Sequence, residues 1–316
     1  LGQVPCADPE RPETWNGPNL RVCPVTDVLE PGSSFKMVAF AAAIEAGLFD
    51  PDEPINCMNG SRSMPGGRPI TDHDPYGVLK AWEVLAKSSN IGTGLLAERV
   101  GPERFYRQER AFGFGLPTGV PLPGEGRGRI TEPATWSARS LATMAFGQEV
   151  SCSALQMALA YAAIANGGNL MKPLLVRAVR APDGTVVERW DPEVVRPVLR
   201  PAAARQLREL LRRVVTDGTG SKAEIDHYRP AGKTSTAQKF IPEEGTYSTR
   251  RYVGSFVGFA PYDDPQVLCL VLLDEPTSSI YGGSVAAPIF REIVSDVLPF
   301  LNGEPAAPSV SEPGQW

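Results

Sequence analysis

One stretch near the start of the chain reads Glu30-Pro31-Gly32-Ser33-Ser34-Phe35-Lys36, and it places a serine and a lysine one helical turn apart. The proline and glycine signal a turn, and residues 37–46 after them are apolar on nearly every face, which predicts a helix buried all round. Residues three apart share a helix face, so the Lys36 amine can reach the Ser33 hydroxyl. Free N–H groups at the helix start add donors for an oxyanion. The stretch therefore predicts a nucleophile, a base and part of an oxyanion hole.

The Ser-x-x-Lys spacing is a weak signal by itself, because a capping serine and an unrelated lysine produce it by chance. Lysine is scarce in this chain, however, and only Lys36 has a serine three residues before it. Burying an amine is costly, so a lysine at the opening of an apolar helix indicates that a lowered pKa is useful there. The sequence therefore favours an active site at Ser33.

The composition excludes several classes of function. A chain of 316 residues can bury a large core, as one large domain or two closely joined lobes. The net charge of -5 and the scattered arginines give no basic stripe, so no nucleic-acid partner is expected. No cysteine and histidine spacing is typical of a metal site, and no apolar run approaches the roughly 18 residues of a membrane span. We expect a soluble protein without metal or cofactor.

The chain has five cysteines, which are Cys6, Cys23, Cys57, Cys152 and Cys269. The last lies in an apolar strand-like run and is predicted to be a buried small hydrophobe, whereas the first three lie in polar loop sequence and are better placed for a disulfide bridge. The pairing stays open. The two histidines, His73 and His227, lie in polar loops with no serine or cysteine motif beside them, which makes a catalytic histidine a minor hypothesis.

Apolar periodicity predicts helices over residues 37–46, 77–87, 91–100, 157–165, 201–217 and 284–300. Strand-like runs lie at residues 231–240, 252–260 and 267–273, and a turn cluster at residues 261–265 favours an antiparallel hairpin between the last two. Ser153 and Gln156 have the spacing of a capping box. Residues 50–76 are typical of a long loop, and such loops usually lie over a functional surface.

Three motifs complete the pattern: Ser33-x-x-Lys36, then Ser88-x-Asn90 at a predicted helix junction, then Lys233-Thr234-Ser235 on a strand-like run. Their order and setting match the Ser-x-x-Lys, Ser-x-Asn and Lys-Thr-Gly motifs of penicillin-binding proteins and class A β-lactamases. The chain resembles the transpeptidase domain of a class B penicillin-binding protein of the division or sporulation type. Other stretches share the likeness: Phe112-Gly113-Phe114-Gly115, Phe146-Gly147-Gln148, Gly218-Thr219-Gly220, Phe256-Val257-Gly258-Phe259-Ala260-Pro261 and Gly282-Gly283-Ser284.

The resemblance implies an α+β fold, in which a five-stranded antiparallel sheet flanked by helices joins an all-helical lobe and the active site lies in the cleft between them. We expect a truncated lead-in at residues 1–32, a catalytic domain at 33–302 with its helical lobe at roughly 50–170, and a mobile tail at 303–316. The resemblance also implies a membrane anchor and pedestal upstream, contacts of these missing parts with other division or cell-wall synthesis proteins, and an active site on the outer face of the cytoplasmic membrane.

The implied activity is peptidoglycan D,D-transpeptidation, with peptidoglycan stem peptides as substrates and β-lactam antibiotics as covalent inhibitors. Carried over by motif, Ser33 would be the nucleophile and Lys36 the base that takes its proton. Lys233 would be the cation that keeps this base neutral, and Ser88 would relay the proton to the leaving nitrogen. Asn90 would hold the peptide carbonyl of the substrate.

The strand motif would bind the other end of the substrate. Thr234 and Thr236 would bind the terminal carboxylate, and the backbone N–H groups of Ser33 and Thr236 would form the oxyanion hole. Ser235 is assigned to the same substrate-binding strand but departs from the resemblance, since the family usually has glycine there. Period-two alternation favours a Ser235 side chain that points away from the cleft, on the face of Lys233.

Three related chemistries compete with this interpretation. A serine β-lactamase needs a group that activates water, and no glutamate has the spacing of the class A motif. A β-lactam sensor would retain the serine and lysine and acylate once. A D,D-carboxypeptidase differs only in using water as acceptor, which the sequence does not decide.

Overall fold

The computed structural model describes residues 1–65, 67–241 and 243–302, and the predicted tail at 303–316 lies outside the described residues. The helices are α1 (Gly17–Leu20), α2 (Cys23–Thr26), α3 (Met37–Glu45), α4 (Ala81–Ala86), α5 (Asn90–Val100), α6 (Pro102–Ala111), α7 (Ser140–Met144), α8 (Ala154–Ala165), α9 (Pro201–Thr216) and α10 (Gly282–Leu301). Short 3-10 turns lie at Pro12–Thr14, Gly32–Lys36, Met58–Gly60, Pro133–Thr135 and Ser221–Ala223.

The strands are β1 (Val28–Leu29), β2 (Pro54–Asn56), β3 (Ser61–Arg62), β4 (Ile70–Thr71), β5 (Val78–Lys80), β6 (Cys152–Ser153), β7 (Asn169–Met171), β8 (Ala178–Arg180), β9 (Val186–Arg189), β10 (Val194–Pro197), β11 (Ala231–Ile241), β12 (Thr246–Ala260) and β13 (Val267–Asp274). Runs of helices and runs of antiparallel strands follow one another along the chain, which confirms the predicted α+β class.

The main sheet has the order β11-β12-β13 and is antiparallel throughout. The predicted hairpin between β12 and β13 is confirmed, with Phe256 opposite Val271. The expectation of five strands was wrong for the described residues, where this sheet has three. The other strands are only two to four residues long and pair two by two elsewhere, as β1 does with β6.

The core is built around α3. Every side chain from Met37 to Ile44 is buried, as predicted, and α5, α6 and α9 pack against this helix. One apolar cluster runs from these helices to Val257 and Phe259 on one face of the sheet. The opposite face carries Phe256, which packs on Phe290 of α10 with ring centroids 4.7 Å apart. The sheet therefore lies between two helical layers. Helix α3 belongs to the larger layer, and the Gly32–Lys36 turn that carries Ser33 leads into it.

Local predictions were right where periodicity was strong. The capping box at the start of α8 is confirmed, because the Ser153 hydroxyl accepts from the Gln156 N–H and the Gln156 side chain accepts from the Ser153 N–H. Residues 77–87 are helical only from Ala81, because β5 pairs with β2 before the helix begins. Helices α6 and α7 were not predicted.

The structure pairs none of the five cysteines, so the predicted bridge among the first three is wrong. Cys57 is fully buried in the core beside Ser89, since the loop that carries it packs under α5. Among the described residues, no helix is long and apolar enough to cross a membrane. Over the same residues, no group of three or more His, Cys, Asp or Glu side chains could hold a metal ion.

One buried carboxyl group stands out in the helical layer. Glu109 of α6 is fully buried, and neither of its carboxyl oxygens has a hydrogen-bond partner among the described residues. Burial raises the pKa of Glu109 well above its ordinary value, with only a partial opposing effect from Arg110. The native state therefore holds a proton on Glu109 that the unfolded chain releases above its ordinary pKa of about 4.3.

We predict that Glu109→Gln stabilises the protein at neutral pH. Because the folded pKa is raised, the stability of the parent falls as the pH rises above the unfolded value, and the neutral amide removes this loss. The expected gain is about 1–3 kcal/mol at pH 8, shrinking toward pH 4.5, in urea unfolding curves. Glu103→Gln on the exposed face of the same helix is the control. A gain that does not change with pH would contradict the prediction.

Candidate active site

The turn before α3 holds Ser33 in a fixed backbone setting. Gly32 has φ of +57°, a conformation that favours glycine, and its N–H donates to the Gly147 carbonyl at 3.1 Å. A Cβ on Gly147 would lie 2.2 Å from the Gly32 carbonyl oxygen, so both glycines are required for this approach. The Gly32–Lys36 segment forms a 3-10 turn that leads directly into α3.

The two adjacent serines of this turn have different surroundings. Ser34 is buried, and its hydroxyl donates to the Pro31 carbonyl at 2.9 Å. Ser33 is partly exposed, whereas its neighbours Gly32, Ser34 and Phe35 are buried. Ser33 is therefore the more exposed of the two serines.

The lysine one turn later, Lys36, is fully buried and contacts one other motif residue, Ser88. Its Nζ donates to the Ser88 carbonyl at 2.5 Å and lies 3.0 Å from the Ser88 Oγ. Lys233 of β11 is also fully buried, and its Nζ lies 2.9 Å from the same Ser88 Oγ. One hydroxyl thus bridges two buried amines. The structure thus brings together one residue from each of the three sequence motifs.

The two amines cannot both carry a full charge here. Burial lowers the pKa of Lys36 well below its ordinary value, and the Lys233 cation lowers it further, while Asp72 acts in the opposite direction. Burial lowers the pKa of Lys233 to about 7. These shifts favour the neutral form of the Lys36 amine, which a base requires, and leave Lys233 with part of its charge near neutral pH.

Ser88 reaches the amines because it turns the chain between α4 and α5. Its φ of +60° lies in the left-handed region, which is unusual for a serine and ends α4 sharply. Ser89 then caps α5, with its hydroxyl accepting from the Gly92 N–H at 2.9 Å. The strained backbone conformation of Ser88 is stabilised by helices α4 and α5, which lie on either side of it.

Asp72, a residue without any sequence motif, holds this junction from the long loop. Its carboxylate accepts from the Ser89 hydroxyl at 2.6 Å and from the backbone N–H groups of Asn90 and Ile91 at 2.5 and 3.1 Å. A carboxylate at a helix N-terminus is a favourable arrangement. The preference for an anion at a helix start predicts that some carboxylate caps α5. Because the loop has several acidic residues, that preference does not say which of them it is.

Asn90 follows this cap and was predicted to hold the substrate carbonyl. Its side-chain amide donates to the Thr71 carbonyl at 2.8 Å, and the residue is partly exposed. One N–H of the amide therefore steadies the loop, and the substrate role stays a prediction.

The two threonines of β11 lie on the face opposite Lys233. The Thr234 and Thr219 hydroxyls are 2.6 Å apart, and the Thr236 hydroxyl accepts from the Gly282 N–H at 3.2 Å. A Cβ on Gly282 would lie 2.3 Å from the Ser235 carbonyl oxygen, which explains a glycine where α10 meets the strand. Thr219 was part of a family stretch but had no predicted role.

The Ser235 side chain lies on the face of Lys233, as strand alternation predicted, but this face meets the turn that carries Ser33, so the expectation that the side chain points away from the cleft was wrong. It is buried, and its hydroxyl donates to the Pro31 carbonyl at 2.7 Å. The side chain therefore faces the turn that carries Ser33, and the substrate-binding role of Ser235 stays a prediction. Any contact of Ser235 with a substrate would be made by its backbone.

The histidines lie outside the lysine cluster. His73 contacts Tyr281 through its Nε2 at 3.1 Å from the tyrosine hydroxyl, and both residues are exposed. Neither His73 nor His227 has a hydrogen bond to a serine or cysteine among the described residues.

Comparison with known proteins shows the family of this chain. A family model described as the penicillin-binding protein transpeptidase domain matches residues 2–295 of this chain. The chain belongs to this family. Its likenesses identify it more closely as a transpeptidase domain of the class B penicillin-binding proteins.

Two curated relatives and one crystal structure illustrate the likeness. Penicillin-binding protein PbpB of Mycolicibacterium smegmatis is 43% identical over 285 residues, covering 87% of this chain and 44% of the relative. The probable peptidoglycan D,D-transpeptidase PenA of Neisseria gonorrhoeae is 34% identical over 310 residues, covering 98% of this chain and 51% of the relative. The crystal structure of penicillin-binding protein 3 from Mycobacterium tuberculosis, complexed with aztreonam, has a TM-score of 0.85 at 38% identity, covering 95% of this chain and 69% of that one.

The transpeptidase domain thus spans about half the length of the curated relatives it matches. The roles predicted for Ser33, Lys36, Ser88 and Lys233 stay predictions, with their geometry as support.

We predict that Lys36→Met stabilises the transpeptidase domain near pH 7. Because the folded pKa of Lys36 is lowered, the unfolded chain binds a proton that the native state does not, and the stability of the parent rises with pH toward about 10.4. Methionine removes this penalty with little change in volume. We expect a gain of about 0.5–2 kcal/mol at pH 7 that shrinks by pH 9.5, measured by denaturant unfolding.

Lys222→Met, at an exposed position, is the matched control and should change stability by less than about 0.5 kcal/mol. A less stable Lys36→Met variant at pH 7 would show that the hydrogen bonds to Ser88 outweigh the cost of burying the amine.

Proposed function

We propose that this domain is a serine D,D-transpeptidase that cross-links peptidoglycan stem peptides and is acylated by β-lactams. The observation that carries the proposal is the Ser88 hydroxyl, which lies 3.0 Å from the Lys36 amine and 2.9 Å from the Lys233 amine, with Lys36 three residues after the partly exposed Ser33. A neutral buried amine next to a serine is an activated nucleophile with its base, and the second amine supplies a cation. The relatives named as transpeptidases and penicillin-binding proteins support the same activity.

In the acylation step, the neutral Lys36 amine takes the proton of the Ser33 hydroxyl as Oγ bonds to the carbonyl carbon of the D-Ala-D-Ala bond. The backbone N–H groups of Ser33 and Thr236 would stabilise the oxyanion, at about 3–4 kcal/mol per donor in other acyl-transfer enzymes. The C–N bond then breaks, and Ser88 passes a proton from Lys36 to the leaving nitrogen. D-Alanine departs and an ester remains on Ser33.

In the second step, an amine on a neighbouring stem peptide attacks this ester and loses a proton to Lys36 through the reverse relay. An amide forms, and Ser33 recovers its proton. Thr234 and Thr236 would bind the terminal carboxylate of the first peptide, helped by the Lys233 charge, and Asn90 would hold its backbone carbonyl. If water replaced the amine, the same site would act as a carboxypeptidase.

The location and partners of the whole protein are part of the proposal. Peptidoglycan lies outside the cytoplasmic membrane, so the site works on the outer face of that membrane, with an N-terminal anchor outside this chain. Other division or cell-wall synthesis proteins would bind the parts of the relatives that this chain does not span.

Intact mass after incubation with benzylpenicillin tests the proposal directly. A long-lived adduct of one drug molecule per chain, mapped to Ser33, supports it, and turnover of a D-Ala-D-Ala thioester analogue separates an enzyme from a β-lactam sensor. Rapid hydrolysis of the drug without a lasting adduct would favour a β-lactamase instead.

We predict that Ser33→Ala folds normally and shows no covalent labelling by benzylpenicillin, because it removes the nucleophile. Ser34→Ala is the matched control, since it removes a hydroxyl that only bonds the Pro31 carbonyl. It should lose about 1 kcal/mol of stability and keep its labelling. Adduct formation on another residue in Ser33→Ala would overturn the assignment.

We also predict a pH profile with an alkaline fall in the acylation rate. Lys36 must be neutral and Lys233 charged, and the pKa of Lys233 is lowered to about 7, so activity is lost as the pH rises through this value. Lys233→Arg keeps its charge at every accessible pH and should move the alkaline fall upward. Stopped-flow acylation by a chromogenic β-lactam between pH 5 and 10 measures it. Identical alkaline limbs in parent and variant would show that another group is responsible.

A further inference from the structure

The nucleophile turn (residues 31–36) is joined to strand β11 by one buried hydrogen bond. The Ser235 hydroxyl donates to the Pro31 carbonyl at 2.7 Å, and the side chain is only 2% exposed. No motif calls for this contact, and a glycine at this position, which is usual in the resemblance described above, would not form it. We propose that Ser235 is a positioning residue that sets the nucleophile turn against β11 for acylation, an inference that rests on the proposed transpeptidase function.

The other ties of this turn come from elsewhere in the fold. The Gly32 N–H donates to the Gly147 carbonyl, and the Tyr161 hydroxyl donates to the Ser34 carbonyl at 2.8 Å. The Ser34 hydroxyl bonds the Pro31 carbonyl within the turn itself. None of these groups belongs to β11. Among the described residues, the side-chain hydrogen bond that joins the turn to β11 is therefore the one that the Ser235 hydroxyl donates.

The fit between turn and strand is close on both sides. A Cβ on Gly32 would lie 2.6 Å from the Ser235 Oγ and 3.1 Å from the Ala237 Cβ. The hydroxyl therefore fills the space that the glycine leaves open. Removing it leaves a gap on the strand side of the turn and an acceptor with one donor fewer.

This contact matters for chemistry because β11 carries half of the reacting site. Lys233 lies two residues before Ser235, and Thr236, the predicted second oxyanion donor, follows directly after it. Ser33 and its N–H lie two residues beyond the Pro31 carbonyl. The hydrogen bond therefore links the two backbone segments that would supply the oxyanion donors, within two residues of each donor. It does so without using a group that would bind the substrate.

Small displacements between such groups change rates strongly, since a shift of about 1 Å can cost on the order of 100-fold. We expect Ser235→Ala to lower the limiting acylation rate constant about 10-fold. The dissociation constant of the initial non-covalent β-lactam complex should change less than about 2-fold, because no binding group is removed. A change of structure throughout the cleft would alter both quantities.

The matched control is Ser255→Ala. Ser255 lies directly opposite Ser235 in the β11–β12 register, is also buried, and has no hydrogen bond to the nucleophile turn among the described residues. Ser34→Ala is a second control, because it removes the other donor to the Pro31 carbonyl without loosening β11. Both controls should acylate at the parent rate.

The experiment compares the parent, Ser235→Ala, Ser235→Gly and the two controls, by stopped-flow acylation at several concentrations of a chromogenic cephalosporin. Melting temperatures identify any variant that fails to fold, and Ser235→Gly serves as a second variant because glycine is usual there in the resemblance. A slow limiting rate confined to the Ser235 variants supports the proposal. Parent-like limiting rates in both Ser235 variants, or an equal loss in Ser255→Ala, would overturn it. If the parent itself is never acylated at Ser33, the proposed function fails instead, and the two failures are distinct.

Discussion

The buried amines of Lys36 and Lys233 share one hydrogen-bonding partner, the Ser88 hydroxyl. Much of the surrounding structure is needed to hold these three groups together. Lys36 and Lys233 are both fully buried, and neither forms an ion pair with a carboxylate among the described residues. Two ammonium groups in such a place would repel each other and lose their hydration, so one of them must be neutral. Ser88 provides a group that suits both forms, since a hydroxyl can accept from one amine and donate to the other.

Three separate parts of the fold meet at this point, which explains their shapes. Helix α3 is buried all round by its apolar side chains, and because it follows Lys36 directly it holds that residue in the interior. The left-handed turn at Ser88 directs its hydroxyl to the same place, held by the Asp72 cap on α5. Strand β11 brings Lys233 from the other side. The free-energy cost of the buried amines and the strained turn is offset by the large apolar core around α3.

Much of the fold and of the site could be predicted from the sequence, for physical reasons. The Ser-x-x-Lys turn and the apolar stretch after it are local features, so the setting of Ser33 and the burial of α3 followed from spacing alone. Strand alternation correctly put Ser235 on the face of Lys233. It did not reveal that this face meets the Pro31 carbonyl, because such contacts join residues far apart in the chain. Asp72 was missed for the same reason.

The positions of the acidic groups affect the fate of the acyl-enzyme. A β-lactamase needs a group that activates water at the ester, and in class A enzymes this group is a glutamate. Asp72 already accepts three hydrogen bonds from the start of α5. Glu30, three residues before the nucleophile, accepts from the Tyr247 hydroxyl and the Glu149 N–H, and burial raises its pKa to about 7. Asp72 is committed to the helix start by its three hydrogen bonds, but Glu30 accepts both of its hydrogen bonds at Oε1, and a pKa near 7 lies in the range of an effective general base. In the proposed mechanism, the preference for an amine over water at the Ser33 ester would therefore rest on the stronger nucleophilicity of the incoming amine and not on the lack of a base.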